Sequence, residues 1–329
     1  MNLVRAEFSR LYARRFVRLM LVLLVVAFGI TIATTLASTH RPSSSELAWA
    51  ERETTQQRLE HERWYAQCLA AKRSPSLENA RQYPTDCDSS RPETPHVSDY
   101  LSGVFVFDRE IRPLVYFLIT FLVLFGFLVG ASYVGADLNS GGMTNLLLWR
   151  PQRMTVLGSK LGTLLAGVLG VTAVASVLYL GAFWLIAQVS GLPGELDGEF
   201  WRWLSLTMGR GAGLILMITA LSFGIAVLGR HTAAALGTVA AYLVLWEGGA
   251  RIVMEIVEVA RTDFWMISTY VVALLAGEIE LWDRSACLGD TDCNGFYTIT
   301  WVPALVVLLA LVASCVTAAF AMFRQRDLA

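Results

Sequence analysis

Charge is scarce in this sequence. Only 16% of its 329 residues are Asp, Glu, Lys or Arg, whereas 55% are hydrophobic; a soluble domain carries about 25% charged residues. A soluble chain of this length would bury one or two cores and cover them with charge, and there is too little here to cover them. The net charge is −1, and no basic stripe with interleaved aromatics occurs outside the flanks of the apolar runs, which argues against nucleic-acid binding. Catalytic constellations are missing as well. His40, His61, His96 and His231 are scattered, and neither H-E-x-x-H nor G-x-S-x-G occurs. The phosphate-cradling G-x-x-x-x-G-K-[ST] is absent. Gly158-Ser159-Lys160 lacks the upstream glycine and opens an apolar run, and the glycines around Arg210 follow no strand. No metal is expected, since no cysteine has a second Cys or His at finger-like spacing.

What the chain does have is long apolar blocks. A helix needs about 20 mostly apolar residues to cross a bilayer. Six blocks qualify: residues 19–37, 113–135, 157–189, 204–228, 232–250 and 299–323, the fifth being clean only to Trp246. The first is longer than the apolar core of a signal peptide and follows a long patterned segment, so it is read as a span. The short connections on one side hold Arg5, Arg10, Arg14, Arg15, Arg18, Arg150, Arg153, Lys160, Arg230, Arg324 and Arg326. Those on the other side hold Glu195, Asp197, Glu199, Glu278, Glu280, Asp283, Asp290 and Asp292. By the positive-inside rule this predicts an all-α integral protein of the plasma membrane with six spans and both termini cytoplasmic, the tail being residues 324–329.

Two large segments then lie outside. Residues 38–112 open with a polar helix over 45–73, with Ser45 as its N-cap and Glu46 in the first turn, followed by proline-broken loops. Residues 251–298 are first apolar and then polar, too irregular for a crossing but able to dip into the membrane and return if shielded by protein. Cys68 and Cys87 share the first segment, and Cys287 and Cys293 the second. An oxidising outer face makes the two local disulfides, Cys68–Cys87 and Cys287–Cys293, the simplest of three connectivities.

Four features bear on function. Residues 1–18 place Leu3, Val4, Phe8, Leu11, Tyr12 and Phe16 on one helical face and arginines on much of the rest, the pattern either of a helix lying in the inner interface with its arginines toward anionic lipid or of an ordinary positive-inside anchor. Residues 136–156 are more than a polar loop. They hold Asp137, a Ser140-Gly141-Gly142 break, an apolar run over 143–149 and the stop Arg150-Pro151-Gln152-Arg153, a surface helix suited to docking on a partner. Gly158, Gly162, Ala166 and Gly170 repeat every four residues, as do Gly126 and Gly130, letting helices approach closely, either within the subunit or between subunits. Finally, Glu247, Arg251, Glu255 and Glu258 follow the fifth block at helical spacing, with Arg251 able to pair with both Glu247 and Glu255. Either they line the outer mouth of a path, together with Arg210 in the fourth span, or the span ends at Trp246 and they are solvated.

The loop resembles the coupling-helix region of type-2 ABC export permeases, especially the high-GC Gram-positive kind. The resemblance rests on Gly135, Ala136, Asp137, Ser140, Gly141, Pro151, Arg153 and Lys160. That family more often has Glu where this chain has Asp137. The N-terminal helix resembles the family's elbow helix, and the six-span layout with re-entrant outer helices before the last span fits too. The outer segment 38–112 is larger than the family usually carries. The resemblance implies an exporter permease that pairs with a second copy or a related permease and docks two ATPase subunits. ATP and Mg would then be held by those partners and not by this chain. Asp137, Asn139, Met143, Leu146, Arg150, Pro151 and Arg153 would couple it to the ATPase. The cargo would be hydrophobic or amphipathic. The competing classes are an ion-coupled secondary transporter, disfavoured by the dearth of mid-membrane acids, and a membrane sensor or assembly protein acting through residues 38–112.

Overall fold

The computed structural model describes residues 2–73, 83–84, 86–88, 91, 93–140, 142, 152–283 and 295–325. Met143, Leu146, Arg150, Pro151 and the Cys287–Cys293 pair lie outside the described residues, as does the apolar run 143–149. Six helices are long and apolar enough to cross a membrane. They are α2 (Arg15–Ser38), α4 (Phe107–Asn139), α5 (Arg153–Ser190), α6 (Gly198–Gly229), α7 (Thr232–Ile256) and α9 (Trp301–Gln325). Among the described residues the other helices of eight residues or more are α1 (Asn2–Ala13), α3 (Ser44–Arg73) and α8 (Ile267–Ala276). Contacts divide the chain into two compact units: Met1–Gly29, Pro113–Tyr179 and Asp197–Ala329 form one, Ile30–Arg112 and Leu180–Leu196 the other.

In the first unit, α4 and α6 pack backbone to backbone. A Cβ on Gly126 would overlap the Thr219 hydroxyl, and one on Gly130 would sit 2.8 Å from the Thr219 carbonyl. The hydroxyls that face these glycines satisfy themselves within α6: Thr219 donates to the Ile215 carbonyl at 2.7 Å and Ser222 to the Thr219 carbonyl at 2.9 Å. Polar side chains that bond their own helix cost little in an apolar interior. Gly158, Gly162 and Gly170 on α5 behave differently. Nothing lies within 4 Å of where their Cβ atoms would be, so among the described residues that face is not a packing seam within the subunit. On α5 the seam runs through Gly167, where a Cβ would stand 2.7 Å from Leu11 of α1.

The fifth apolar helix does not end at Trp246. It continues to Ile256, and Tyr242–Ala250 is wound as a π-helix flanked by α-helix on both sides. The wider turns shift the register of Glu247 relative to a regular helix. After it, a 3-10 turn at Thr262–Trp265 leads to the apolar helix α8, and then to a two-stranded antiparallel hairpin, β1 (Glu278–Trp282) and β2 (Phe296–Thr300), in which Glu280 faces Thr298. The sequence reading had only helices here. Ile279 and Leu281 alternate with the exposed Glu278 and Glu280, as Tyr297 and Ile299 do with their neighbours, which is the period of a strand. Leu214 and Met217 of α6, Ala273 and Leu274 of α8, Ile299 of β2, and Ala304 and Leu308 of α9 form one apolar core under this hairpin.

In the second unit, α3 is capped by Ser43 and not by Ser45. The Ser43 amide donates to the Glu46 carboxylate at 2.7 Å, and the Glu46 amide donates back to the Ser43 hydroxyl at 3.3 Å. This reciprocal pair is the Ser-x-x-Glu capping box. The bonds from the Ser43 backbone and hydroxyl hold the Glu46 carboxyl below its ordinary value. Far along α3, Cys68 is bonded to Cys87 with Cα atoms 6.0 Å apart, and the Tyr65 hydroxyl donates to Asp88 at 2.5 Å. Elsewhere the Phe107 amide donates to the Leu192 carbonyl and the Leu192 amide to Phe105. Gly194 has φ +69° and sits against the Asp108 carboxylate, which accepts from the Glu195 amide at 3.1 Å.

The Cys68–Cys87 bridge closes a sequence separation of 19 residues, for which chain entropy alone amounts to about 3 kcal/mol. In a Cys287→Ser/Cys293→Ser background, reductant is expected to lower the apparent Tm and to expose two further thiols to alkylation, read by intact mass. Two thiols already reactive without reductant would contradict the bridge.

Candidate functional site

Five charged side chains and one tyrosine meet where α1, the end of α4 and the start of α5 converge. Lys160, about two turns into α5, is 1% exposed, as is Glu7 of α1. A bare ammonium so placed would be prohibitively costly, so it must be paired and fully hydrogen-bonded. Lys160 Nζ lies 2.9 Å from Glu7 Oε2 and 2.8 Å from Asp137 Oδ2. The Tyr133 hydroxyl, fully buried, donates to the same Glu7 oxygen at 2.5 Å. Arg10 pairs with the other Glu7 oxygen at 3.1 Å. Arg14 donates to Asp137 and, at 3.3 Å, to the Ser132 carbonyl. The Tyr133 ring is flanked by both cations, with Lys160 Nζ 4.9 Å and the Arg14 guanidinium 4.8 Å from its centroid, distances that add cation–π attraction.

The electrostatics follow from that packing. Burial by itself would raise the Glu7 carboxyl, but the hydrogen bonds from Tyr133 and Lys160, with the charges of Lys160 and Arg10, outweigh it and hold Glu7 below its ordinary value of 4.5. Two carboxylates share one ammonium, and each also has its own arginine. The break between α1 and α2 falls at Arg14, which lets that residue turn from the elbow into the cluster. Arg14 therefore faces Asp137 and Tyr133 and not lipid, whereas Arg5, Arg15 and Arg18 remain exposed.

The cluster brackets the connection between α4 and α5. Asp137 lies two residues before the last residue of α4, the exposed Asn139, and Arg153 is the first residue of α5. Gly135, first of the Gly-Ala-Asp triplet, has a packing reason: a Cβ there would stand 2.6 Å from the Thr232 amide at the start of α7. Sequence reasoning singled out Asp137 and Lys160 but not Glu7 or Tyr133. The signal for Glu7 was its being the lone acid among the arginines of residues 1–18; for Tyr133 there was none.

A sequence model described as "ABC-2 family transporter protein" matches residues 1–328. The chain belongs to the ABC-2 transporter family. No curated protein matches it. An ABC-2 permease is the transmembrane component of an ABC transporter, a multi-pass membrane protein that associates with an ABC ATPase subunit and is not itself the ATPase.

The remaining predicted residues of this ABC-2 permease lie elsewhere. Arg251 bonds Glu255 at 3.2 Å and, in place of Glu247, Asp263 at 3.1 Å. Glu247 is drawn away by the π-helical register. It accepts from the Tyr242 hydroxyl at 2.8 Å, the Ser268 amide at 2.9 Å and the Ser268 hydroxyl at 2.8 Å, so it serves the N-terminus of α8, where donors lack intrahelical partners. Arg210 lies against Gly277 (φ +101°), with its guanidinium 5.3 Å from the Trp301 ring.

Lys160→Met would leave Glu7 and Asp137 buried without their shared cation, a loss on the order of 3–5 kcal/mol. Arg10→Met removes a mostly exposed partner and should cost under about 1 kcal/mol. Thermal unfolding in detergent should rank the two in that order, and equal effects would show that Lys160 is not the fastening. Because the Glu7 carboxyl is depressed on folding, its contribution is complete above about pH 4.5 and is lost as the pH falls below it. The stability gap between wild type and Glu7→Gln should therefore narrow on acidification.

Proposed function

We propose that this ABC-2 permease is the membrane-spanning half of an exporter, with its N- and C-termini cytoplasmic, moving a hydrophobic or amphipathic substrate outward. It pairs with a second copy or a related permease over two ATPase subunits. The observation that carries the coupling reading is the buried network of Glu7, Lys160, Asp137 and Arg14. A displacement applied to the connection between α4 and α5 reaches both helix ends that the network ties together, and through Glu7 it reaches α1. Three elements bound by shared charges in a low-dielectric setting move as a unit, because separating them would expose unpaired charge. ATP and Mg reside on the partner. Asp137, Asn139, Met143, Leu146, Arg150, Pro151 and Arg153 form the coupling segment, in which Asp137 also serves the interior network.

The distribution of burial supports a paired assembly. α4 and α6 are the most enclosed spans, whereas α2, α7 and α9 leave most of their surface uncovered, free for lipid or for a second permease. Glu247, Arg251, Glu255 and Arg210 are the candidates for the mouth of the path. Glu247 and Arg210 hold the two ends of the segment from α8 to the start of α9, so a shift of α7 against α6 would reshape that segment. The arginine-rich side of the chain faces the cytoplasm by the positive-inside bias.

Co-purification in detergent with a candidate ABC ATPase subunit tests the reading. Complex formation and ATP hydrolysis are expected with wild type. Arg153→Ala is expected to weaken association by about tenfold or more, the scale of one charged hydrogen bond. Asp137→Ala should leave ATPase binding nearer to wild type while abolishing the link between hydrolysis and transport. An ATPase that fails to associate with a chain still folded by its thermal unfolding would overturn the proposal.

A further inference from the structure

Within the segment between α2 and α4, one face of α3 and the returning chain line a half-open cavity of about 370 Å³ bounded by Arg58, His61, Glu62, Arg91, Thr94 and Pro95, a size within the ~300–1,000 Å³ of small-molecule sites. The geometry is built and held. Arg58, His61, Glu62 and Tyr65 follow at i, i+3, i+4 and i+7, one stripe of the helix. The chain opposite is fastened to that stripe three times: by the Cys68–Cys87 disulfide, by the Tyr65 hydroxyl on Asp88, and by Arg58 Nε donating to the Pro95 carbonyl at 3.2 Å.

The chemistry of the lining is that of an oxyanion receptor. Two guanidinium groups, an imidazole and a hydroxyl converge against a single carboxylate. Among the described residues neither Arg58 nor Arg91 forms a salt bridge, although Glu62 lines the same cavity. Arg58 is oriented by its bond to Pro95, which leaves its other N–H donors uncommitted. Arg91 is stacked with its guanidinium 4.8 Å from the Tyr65 centroid. Planar, pre-oriented guanidinium pairs match carboxylate and phosphate oxygens bidentately, where lysines would not. The second observation is His61. Its Nδ1 is enclosed and has no hydrogen-bond partner, a state that costs free energy unless something else supplies the bond.

We infer that this cavity binds a phosphate-type oxyanion, borne by a small soluble molecule or by a lipid headgroup. Arg58 and Arg91 grip the oxygens, and His61 and Thr94 complete the hydrogen bonding. Glu62 at the rim disfavours a dianionic body extending past the phosphate and accommodates a cationic or neutral one. Nothing in this inference depends on the coupling role of the network around Lys160.

The test is calorimetric titration of inorganic phosphate into the full chain in a maltoside detergent at fixed ionic strength. Saturable binding is expected. It should weaken by about tenfold or more in Arg91→Ala and in His61→Ala, partly recover in Arg91→Lys, and stay unchanged in Arg63→Ala, which lies across α3 from the cavity. His61→Ala removes no protein hydrogen bond at Nδ1, and an intact Cys68–Cys87 bridge by alkylation mass reports that the segment is still folded. Repeating the wild-type titration in phosphatidylglycerol nanodiscs assigns the source: loss of the phosphate signal there means that lipid headgroups occupy the site, and its persistence means a soluble ligand. No saturable binding in detergent, or binding of equal strength in wild type, Arg91→Ala and His61→Ala, would overturn the inference.

Discussion

A lysine ammonium held at 1% exposure at the end of an apolar helix sets terms for everything around it. Lys160 cannot stay charged there without carboxylates at hydrogen-bond distance, and it draws one from each of two other helices, Glu7 from α1 and Asp137 from α4. Those carboxylates in turn require Arg10, Arg14 and the Tyr133 hydroxyl. Such a cluster contributes little net stability compared with well-packed apolar residues, because desolvation offsets most of the attraction. What it does enforce is geometry. Any arrangement that separates α1, α4 and α5 leaves a buried charge alone, so the three helix ends are fixed to one another.

That fixing explains details which otherwise look arbitrary. Gly167 admits Leu11 because α1 has to lie close enough to α5 for Glu7 to reach Lys160. Gly135 admits the Thr232 amide because α4 carries Asp137 on its next turn, beside the start of α7. The helix break at Arg14 lets one residue of the elbow leave the amphipathic pattern and point inward.

At the other end of the spans, the π-helical stretch of α7 does related work by a different means. It turns Glu247 toward the exposed amides of α8, a short helix whose first donors need an acceptor. Arg251, freed of Glu247, takes Asp263 on the chain that follows. Arg210 packs where Gly277 and Trp301 meet. Ionisable groups near a membrane interface thus become fasteners of α8, the hairpin and the start of α9.

The six apolar blocks, the basic elbow and the local Cys68–Cys87 pairing were legible because each depends on composition or on neighbours in the chain. Length against bilayer thickness needs only a count, and a disulfide across 19 residues needs only two cysteines in one segment. The capping serine was misplaced by two residues because three consecutive serines offer the same chemistry, and only the partner Glu46 selects Ser43. The hairpin was missed because its strands are only five residues each and lie in a segment read as re-entrant helices, and the π-turn because 3.6-residue spacing was assumed for Glu247 and Arg251. Amino-acid sequence alone determined that this chain resides in a membrane and which stretches of it are apolar enough to cross, since hydration of side chains is a local property. Only tertiary structure decided that Glu7 belongs to Lys160 across 153 residues, that Arg14 turns away from lipid, and that Arg58, His61 and Arg91 share one cavity, because pairing of charges depends on which helices the packing of glycines and apolar faces brings together.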